Sequence, residues 1–486
     1  MHDTNFEGFY KRVENTPQRI AIYVEGQSIT FENLLKEINR LGGQLLATRK
    51  KDQLDGILPL YVDRSLKSAV CIYAALWASI PFTVIDEETP FSMAQQLLAR
   101  MQIDHPIWNV TEGDSKNTNQ LELVDDIEPI KTGQPSDIAY VILTSGSTGV
   151  PKGVMTSRDN LARSKAVNWF DNAAEVDYGS MSVAPFAFAM GMYGLFRVSK
   201  GASYYNLKPK NYTPRQFLSA MKELGPTHVS LPAQLARIYS KSNVDIVIDS
   251  VQEVAIGGET IRLEQVSALL NIFPETTQVL HSLGASEAQS GLQWKKAKSE
   301  IEGSGPIPMT ATPDASLFEP MPDYGEDVYE VWFGSNLSLG YFGNDELTNE
   351  RFIEKNGRRW WKSGDLVKHV GNDQYTYFGR LDDVVKISGY LVSPMTITNA
   401  LMTLPEVSQA SVVSEKLDDS YVMHAFIELN PDNEVSREQI KIELAKLLPS
   451  YMIPKNIHIV DEIPLTVRGK TDVKNLRGLN SPTGSV

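Results

Sequence analysis

Ten consecutive residues combine glycines, hydroxyl groups and a lysine in the pattern of a loop that holds phosphate. They are Thr144-Ser145-Gly146-Ser147-Thr148-Gly149-Val150-Pro151-Lys152-Gly153, directly after the apolar run 139–143. Glycines let the backbone approach a polyphosphate with no Cβ in the way, hydroxyl groups donate hydrogen bonds, and the lysine adds a point charge. The pattern is not the G-x-x-x-x-G-K-[ST] loop of P-loop enzymes, because Pro151 stands in place of the second glycine. We therefore expect a strand that leads into an ATP-binding loop of another class.

Overall charge and cysteine content narrow the class of protein. The formal net charge of -14 disfavours nucleic acids and anionic membranes as partners, since both require a basic surface. The single cysteine, Cys71, excludes a disulfide within the chain and fits a reducing compartment, and we expect it to be a buried apolar residue. The first residues lack the basic and apolar regions of a signal peptide. These features predict a cytoplasmic protein.

One stretch raises the question of a membrane span by its length alone, because residues 68–85 contain no charged side chain. Pro81 and several serines and threonines interrupt this stretch. We expect a buried helix that runs into a strand, and no membrane partner.

The order of local patterns predicts the fold class. Apolar runs at 138–143, 227–231, 253–256 and 278–280 alternate with helical patterns through the first four-fifths of the chain. Such alternation is typical of α/β layers with largely parallel strands. We expect an α/β fold with layered sheets.

A polar turn at 379–383, directly after the aromatic run 374–378, is the most natural domain boundary. We predict a large N-terminal α/β domain over residues 1–379 and a small, mobile α+β domain over residues 380–486.

The small domain has a pattern of its own. Residues 410–413 and 422–429 predict a pair of strands. Ser436 and Gln439 predict a capping box that starts a helix with Ile440 on its apolar face.

Further short blocks of distinctive composition lie along nearly the whole chain, before and after this loop. They lie at 29–34, 79–86, 257–259, 283–287, 340–342, 346–348, 361–366, 379–383, 386–390 and 465–470. Together with the loop, these blocks resemble the acyl-adenylate-forming superfamily, which contains acyl-CoA synthetases, luciferases and the adenylation domains of nonribosomal peptide synthetases. The resemblance covers nearly the whole chain and is strongest to stand-alone adenylation domains of the peptide-synthetase type.

The resemblance implies where ATP and Mg²⁺ bind. Lys152 and the hydroxyl groups of the loop are implied to hold the β- and γ-phosphates, Ser286 the α-phosphate, and Glu287 the Mg²⁺ ion. The other residues implied to line the nucleotide site are Thr144, Ser145, Gly146, Ser147, Thr148, Gly149, Gly258, Glu259, Leu283 and Gly284. The family usually has an aromatic ring where Leu283 stands, so we expect adenine stacking to be weaker or differently arranged.

Four residues nearer the C-terminus are implied to complete the nucleotide site and its hinge. Asp365 is implied to accept hydrogen bonds from the ribose hydroxyls, and Arg380 to contact the ribose or phosphates. Lys470 is implied to approach the bridging oxygen and the substrate carboxylate, which makes it the catalytic cation beside Glu287 and Ser286. Asp382 matches the hinge about which the small domain rotates after the first half-reaction. By residue type alone, Asp365 also fits a turn cap, and Asp382 an ordinary turn.

The acid pocket is implied to include Phe188, Ala189, Met190, Tyr193, Gly257 and Ala285. In the amino-acid-activating branch, an aspartate that pairs with the substrate's α-ammonium stands where this chain has Ala189. A buried ammonium without a counter-charge is costly, so we expect an acid without an α-ammonium unless another acidic residue supplies the charge. Acyl-CoA synthetases usually carry a histidine near here, where this chain has Phe188.

The resemblance implies an acid–thiol ligase. The expected reaction is ATP-dependent activation of a small carboxylic acid as acyl-AMP, followed by transfer to the phosphopantetheine thiol of a separate carrier protein. Two other enzymes remain open, namely a ligase that uses CoA as acceptor and an amino-acid-activating enzyme. A third alternative is a silent homologue that binds adenylates without turnover, but the presence of Lys152, Glu287, Asp365 and Lys470 together disfavours it.

Overall fold

A computed structural model of the protein describes residues 6–51, 56–103, 106–111, 137–144, 152–169, 175–233, 235–236, 245–258, 261–387, 390–417, 420–430, 433–465 and 471–479. The helices in these ranges are α1 (Glu7–Asn15), α2 (Phe31–Lys51), α3 (Leu66–Trp77), α4 (Phe91–Arg100), α5 (Arg158–Arg163), α6 (Ala189–Phe196), α7 (Pro214–Leu224), α8 (Leu263–Leu269), α9 (Asp345–Arg351), α10 (Pro394–Leu401), α11 (Arg437–Leu447) and α12 (Val473–Leu479). The strands are β1 (Ile20–Val24), β2 (Gln27–Thr30), β3 (Leu58–Val62), β4 (Phe82–Asp86), β5 (Trp108–Asn109), β6 (Ile138–Thr144), β7 (Lys152–Ser157), β8 (Gly179–Ser182), β9 (Ser203–Asn206), β10 (His228–Pro232), β11 (Glu253–Gly257), β12 (Gln278–Leu283), β13 (Leu292–Ala297), β14 (Met309–Ala311), β15 (Ser316–Pro320), β16 (Val328–Phe333), β17 (Gly340–Tyr341), β18 (Phe352–Lys355), β19 (Arg358–Gly371), β20 (Gln374–Arg380), β21 (Val385–Ile387), β22 (Tyr390–Val392), β23 (Val407–Leu417), β24 (Ser420–Leu429) and β25 (Asn456–Ile459).

The largest sheet has the order β15-β16-β19-β20-β14-β13-β12-β11-β10-β8-β9-β1-β2, and β18 pairs with β19 outside this path. Its strands β1, β9, β8, β10, β11 and β12 are parallel neighbours, as the alternating pattern predicts. From β12 to β15 every pairing is antiparallel, so the prediction of largely parallel strands is wrong for this half. The reason is that short turns can join antiparallel strands, whereas parallel strands require a crossover. Asn372 and Asp373, with φ of 51° and 54°, form such a turn between β19 and β20.

A second sheet has the order β17-β7-β6-β4-β3-β5. Strands β3, β4, β5 and β6 are parallel, while β7 returns antiparallel to β6. Between β3 and β4 lies α3, which begins where the Ser65 side chain accepts a hydrogen bond from the Ser68 amide. All nine residues from Ser68 to Leu76 are buried, so the uncharged stretch is a core helix that runs into β4, as predicted.

Neither a membrane span nor a reactive thiol is found at α3. Among the helices that the structure describes, none combines the length and apolar character needed to cross a lipid bilayer. Cys71 is buried as predicted, and burial raises the pKa of its thiol to about 12.

The C-terminal part forms a separate three-stranded sheet of β23, β24 and β25. The predicted strand pair is present, with Ala410 opposite Ile427. The Ser436 side chain accepts a hydrogen bond from the Gln439 amide at the start of α11, but the Gln439 side chain donates to Glu443 at 3.2 Å, so the predicted capping box is only half formed.

The hydrophobic cores of the described residues are divided in sequence. The large N-terminal core ends at Val367, and the main C-terminal core begins at Val385. The protein therefore has a large α/β part followed by a smaller α+β part. The predicted division after residue 379 falls in the gap between the two cores and stays a prediction.

Candidate active site

A cavity of about 1380 Å³ opens at the carboxyl ends of the parallel strands of the large sheet. Its wall includes Pro232, Gly257 and Leu283, the last residues of β10, β11 and β12. Residues of the C-terminal part, among them Val413 and Arg477, line the same cavity. Ligands of open α/β sheets bind outside the carboxyl ends of the strands. This cavity is therefore the candidate active site.

Every predicted site residue that the structure describes lines this cavity. These residues are Thr144, Lys152, Phe188, Ala189, Met190, Tyr193, Gly257, Gly258, Leu283, Gly284, Ala285, Ser286, Glu287, Asp365, Arg380 and Asp382. Seven others lie outside the described residues, namely Ser145, Gly146, Ser147, Thr148, Gly149, Glu259 and Lys470. The assigned roles of both groups stay predictions.

The described residues on either side of 145–151 and of 466–470 line this cavity. Thr144 is paired with Lys152 across β6 and β7, so the chain leaves and re-enters the sheet at one place. Leu465 and Thr471 form an isolated antiparallel bridge. All four residues line the cavity.

Glu287 is the centre of a buried polar cluster. It lies in the connection between β12 and β13 and is 9% exposed. The Tyr341 hydroxyl donates a hydrogen bond to Glu287 Oε1 at 3.0 Å, and the Trp361 indole N–H donates to the Tyr341 oxygen at 3.1 Å. Lys152 Nζ lies 5.5 Å from the centroid of the Tyr341 ring. The carboxylate is thus oriented by a tyrosine whose own hydroxyl is fixed.

The ionisation of this cluster is set mainly by burial. Burial raises the pKa of Glu287 above its ordinary value, although the hydrogen bond from Tyr341 and the charge of Lys152 oppose the rise. Burial also lowers the pKa of Lys152, and the positive charge of Arg351 adds to that effect. A further cation bound beside Glu287 would therefore stabilise the ionised form of its carboxylate.

The donor set of Glu287 suits a cation that shares its coordination with a ligand. Among the described residues, no group of three or more His, Cys, Asp and Glu side chains is placed to hold a metal ion by itself. Mg²⁺ is commonly held by one or two carboxylates together with substrate phosphates and water. A single carboxylate facing a cavity fits that manner of binding.

Asp365 and Arg380 face each other across β19 and β20. Arg380 Nη1 donates to Asp365 Oδ1 at 2.9 Å, and Arg380 Nη2 donates to the Ser363 carbonyl at 3.1 Å. Burial would lower the pKa of Arg380, but the charge of Asp365 and of other acidic neighbours raises it above its ordinary value. Asp365 lies within strand β19, so the alternative that it caps an ordinary turn is wrong.

Gly364 makes this pair possible. Its φ is +72°, and a Cβ at this position would lie 3.1 Å from Arg380 Nη2. The β16–β19 pairing shifts its register at the same place. The bulge directs Asp365 toward Arg380 and the cavity.

The residues predicted to line an acid pocket lie at the start of α6, at the end of β11 and after β12. Phe188, Ala189, Met190 and Tyr193 are half-buried and line the cavity. Met190 Cε would lie 3.9 Å from a Cβ placed on Gly257, so helix and strand face each other closely. This wall offers an apolar surface to a ligand.

Asp382 lies in a single 3-10 turn, Leu381–Asp383, directly after β20. Its Oδ2 lies 3.5 Å from Arg380 Nη2. Arg380 therefore contacts acidic side chains on both sides of the predicted domain boundary.

Comparison with protein-family models gives two matches. Residues 9–313 match the model of the AMP-binding enzyme, and residues 396–470 match that of the AMP-binding enzyme C-terminal domain. The chain belongs to the AMP-binding enzyme family. The resemblance to acyl-adenylate-forming enzymes is thereby confirmed.

Curated relatives of this AMP-binding enzyme include both long and short proteins. The chain is 28% identical over 500 residues to surfactin synthase subunit 2 of Bacillus subtilis, a match that covers 96% of the chain and 14% of that protein. It is also 28% identical over 483 residues to the D-alanine–D-alanyl carrier protein ligase of Staphylococcus aureus, covering 95% of the chain and 96% of the ligase. The chain thus spans only a small part of the synthases and nearly all of the ligase.

Solved structures share the fold of this AMP-binding enzyme. NpsA of Klebsiella oxytoca, in complex with 3-hydroxyanthranilyl-AMSN, superposes with a TM-score of 0.78 at 17% identity, covering 99% of the chain and 100% of NpsA. The o-succinylbenzoate CoA synthetase of Bacillus subtilis, in complex with its acyl-adenylate intermediate, gives 0.77 at 18% identity and 99% coverage of both chains. MatB of Rhodopseudomonas palustris, bound to ATP, gives 0.77 at 17% identity, covering 99% of the chain and 100% of MatB. The mixed α/β fold with a large and a small domain is confirmed.

Four residues of this AMP-binding enzyme's cavity had no role in the sequence prediction. Tyr341 and Trp361 fall inside matched blocks, and their position there was the signal that would have found them. Arg351 lies one turn beyond the block 346–348 and lines the cavity. Arg197 follows the apolar helix α6 and also lines the cavity. In the sequence, the feature that could have marked it as a site residue is a charged side chain directly after an apolar run.

Proposed function

We propose that the protein uses ATP to convert a carboxylic acid into an acyl-adenylate, releases pyrophosphate, and transfers the acyl group to the phosphopantetheine thiol of a separate carrier protein. The observation that carries this proposal is that Lys152, Glu287, Asp365 and Arg380 line the same cavity as the apolar wall of α6. The likeness to the D-alanine–D-alanyl carrier protein ligase over nearly its full length supports the choice of acceptor.

In the first step, a carboxylate oxygen of the acid attacks the α-phosphorus of ATP. A new O–P bond forms, the bond from the α-phosphorus to the bridging oxygen breaks, and pyrophosphate leaves. Lys152 and the loop 145–151 hold the β- and γ-phosphates, while Ser286 contacts the α-phosphate. Most of the catalytic effect comes from positioning and from charge stabilisation in a partly dry site.

Glu287 would hold Mg²⁺, which would supply Lewis-acid stabilisation of the transferring phosphoryl group. The hydrogen bond from Tyr341 favours the ionised carboxylate and holds it in one orientation. Asp365, fixed by Arg380, accepts hydrogen bonds from the ribose hydroxyls. Lys470 stabilises the bridging oxygen and the reacting carboxylate in this step only.

In the second step, the thiol sulfur attacks the acyl carbonyl, the carbonyl–phosphate bond breaks, and AMP leaves while the thiol proton passes to solvent. The C-terminal part turns about Asp382 between the steps, so that the phosphopantetheine arm reaches the adenylate. The single buried cysteine supports a cytoplasmic location, and the net charge of -14 disfavours nucleic-acid partners.

ATP–pyrophosphate exchange tests the first step across a panel of amino, hydroxy, aryl and short aliphatic acids. We expect exchange with at least one acid, and loss of about 10²-fold or more in rate in Glu287→Gln. Glu300→Gln, which changes an exposed glutamate outside the cavity, is the matched control. Wild-type protein that exchanges with no acid of the panel, or a Glu287→Gln variant as active as wild type, would contradict the proposal.

The acceptor is tested by offering phosphopantetheinylated carrier protein and CoA in parallel to the preformed acyl-adenylate. Faster thioester formation on the carrier is expected. Faster formation on CoA would favour the alternative of a CoA ligase, with which the fold of the o-succinylbenzoate CoA synthetase is compatible. Binding of adenylates without any exchange would favour a silent homologue.

A further inference from the structure

Arg197 is a buried cation at the inner end of the cavity. It follows α6 directly, is only 4% exposed, and lines the cavity together with Ala166, Trp169 and Ser230. Buried arginines are rare unless they are paired, since removing a charge from water is costly. A reason for its position is therefore required.

Part of the guanidinium is fixed by the protein. Nε donates to the Ala166 carbonyl at 2.8 Å, and Nη1 donates to Ser180 Oγ at 2.6 Å, with Ser230 Oγ at 3.5 Å. The Trp169 ring lies against it, with 4.2 Å between the Arg197 Cζ and the ring centroid. Within the described part of the chain, Nη2 has no hydrogen-bond partner. The side chain is held rigidly while one donor group stays available.

The charge of Arg197 is not matched by a carboxylate. The acidic side chain nearest in electrostatic terms is Glu253, which accepts hydrogen bonds from Lys295 Nζ at 2.7 Å and from the Trp169 indole N–H at 2.6 Å. No carboxylate of the described residues lies within 4 Å of the Arg197 nitrogens. Burial lowers the pKa of Arg197 to about 9, although Tyr204 and the charge of Glu253 oppose the fall.

Strand register locates Arg197 relative to the cavity mouth. Ser230 lies two residues before Pro232 on β10, which corresponds to about 7 Å along the strand. Ser230 is paired with Ala255 on β11, and Ala255 with Leu280 on β12, and all three line the cavity. The strands β10, β11 and β12 therefore form a wall that leads from the strand ends, where the predicted adenylate site lies, down to Arg197.

We propose that Arg197 binds a second carboxylate of the substrate, so that the acid activated by this enzyme is a dicarboxylic acid. This inference rests on the proposed function, in which the other carboxylate reacts with ATP. A distal carboxylate would accept a hydrogen bond from Nη2 and supply the missing counter-charge, with charge-assisted geometry typical of arginine. The distance of about 7 Å along the strand favours diacids longer than three carbons.

Pyrophosphate exchange with paired substrates tests this inference. Each α,ω-dicarboxylic acid of four to eight carbons, and each benzenedicarboxylic acid, is compared with the monocarboxylic acid that has a methyl group in place of one carboxylate. We expect wild type to prefer at least one diacid over its partner by about 10-fold or more, and Arg197→Met to abolish that preference. Arg197→Lys, which keeps the charge, should lower it less.

Arg158→Met is the matched control, because Arg158 is equally buried at 4% exposure but does not line this cavity. It should leave the ratio unchanged. A diacid preference that survives in Arg197→Met would overturn the inference and make Arg197 a structural residue. If Arg197→Met does not fold, wild-type exchange decides, and exchange confined to monocarboxylic acids overturns this inference alone. Absence of exchange with every acid would overturn the proposed function as well.

Discussion

The substitution Tyr341→Phe removes one oxygen atom from the centre of the cavity and tests how Glu287 is controlled. The Tyr341 hydroxyl donates a hydrogen bond to Glu287 at 3.0 Å and accepts one from Trp361 at 3.1 Å, so both its donor and its acceptor roles are used. Phenylalanine keeps the ring against which Lys152 lies. The change therefore isolates the hydrogen bond to the carboxylate.

The expected magnitude follows from that bond. A hydrogen bond to a charged group contributes about 1.5–3 kcal/mol, and it is present here only while Glu287 is ionised. Since about 1.4 kcal/mol corresponds to a factor of ten, and since protons compete with Mg²⁺ for the carboxylate, the apparent Mg²⁺ dissociation constant should rise by up to about 10- to 100-fold at pH values below the pKa of Glu287. The variant should also raise the pKa of Glu287 further, because one of the effects that opposes burial is lost.

The sign of the pH dependence follows from the ionised form. In its proposed role Glu287 binds Mg²⁺ as the carboxylate, so a higher pKa of Glu287 reduces the ionised fraction most at low pH. The defect of Tyr341→Phe should therefore be largest at pH 6, smaller at pH 8.5, and reduced by saturating Mg²⁺.

Pyrophosphate exchange measured against free Mg²⁺ at pH 6, 7 and 8.5 gives this dependence directly. Tyr329→Phe is the control, because Tyr329 packs edge-on against Phe318 and does not line the cavity. An unchanged Mg²⁺ titration of Tyr341→Phe at pH 6 would refute the argument. So would a loss of rate that is the same at every Mg²⁺ concentration.

Three further outcomes are expected. Gly364→Ala should lose about 1–2 kcal/mol of unfolding free energy, since φ at this position is +72°, and should weaken ATP binding by displacing Arg380. Urea unfolding measures the first effect and ATP titration the second. Wild-type values in both would contradict the role of the bulge. Burial lowers the pKa of His228 to about 3, so the folded state keeps the imidazole neutral while the unfolded state protonates it below about pH 6.5. The free energy of unfolding should therefore fall, as the pH drops from about 6.5 toward 3, by up to about 1.4 kcal/mol per pH unit. Urea unfolding at pH 7, 6 and 5 should show a shallower fall for His228→Gln. Equal slopes for both proteins would remove His228 as the cause. Lys470→Ala should abolish adenylate formation but leave thioester formation from supplied acyl-adenylate largely intact, and near wild-type exchange in this variant would show that the assigned mechanism is wrong.

Local patterns predicted what depends on neighbouring residues. The uncharged stretch 68–85 became a buried helix and strand because few other arrangements hide so many apolar side chains. Glycine and hydroxyl blocks marked the walls of the cavity, since backbone that approaches a ligand closely restricts residue type.

Contacts that depend on strand order were not predictable in this way. Tyr341 reaches Glu287 across 54 residues of sequence, because β17 pairs with β7 at the edge of the second sheet. The partners of Arg197 lie on β8, on β10 and after α5, and no local spacing relates them. The antiparallel half of the large sheet was missed for a related reason, since runs of apolar residues do not record strand direction.

The buried thiol of Cys71, the one cysteine of the sequence, should not react with thiol-specific labels. A thiol with a pKa of about 12 is almost wholly protonated at neutral pH, and only the thiolate is an effective nucleophile. Cysteines introduced at the exposed positions Glu302 and Glu438, one in each part of the chain, would therefore be labelled against no background. Fluorescence energy transfer between them would test whether the C-terminal part turns about Asp382, as proposed, without prior removal of a native residue.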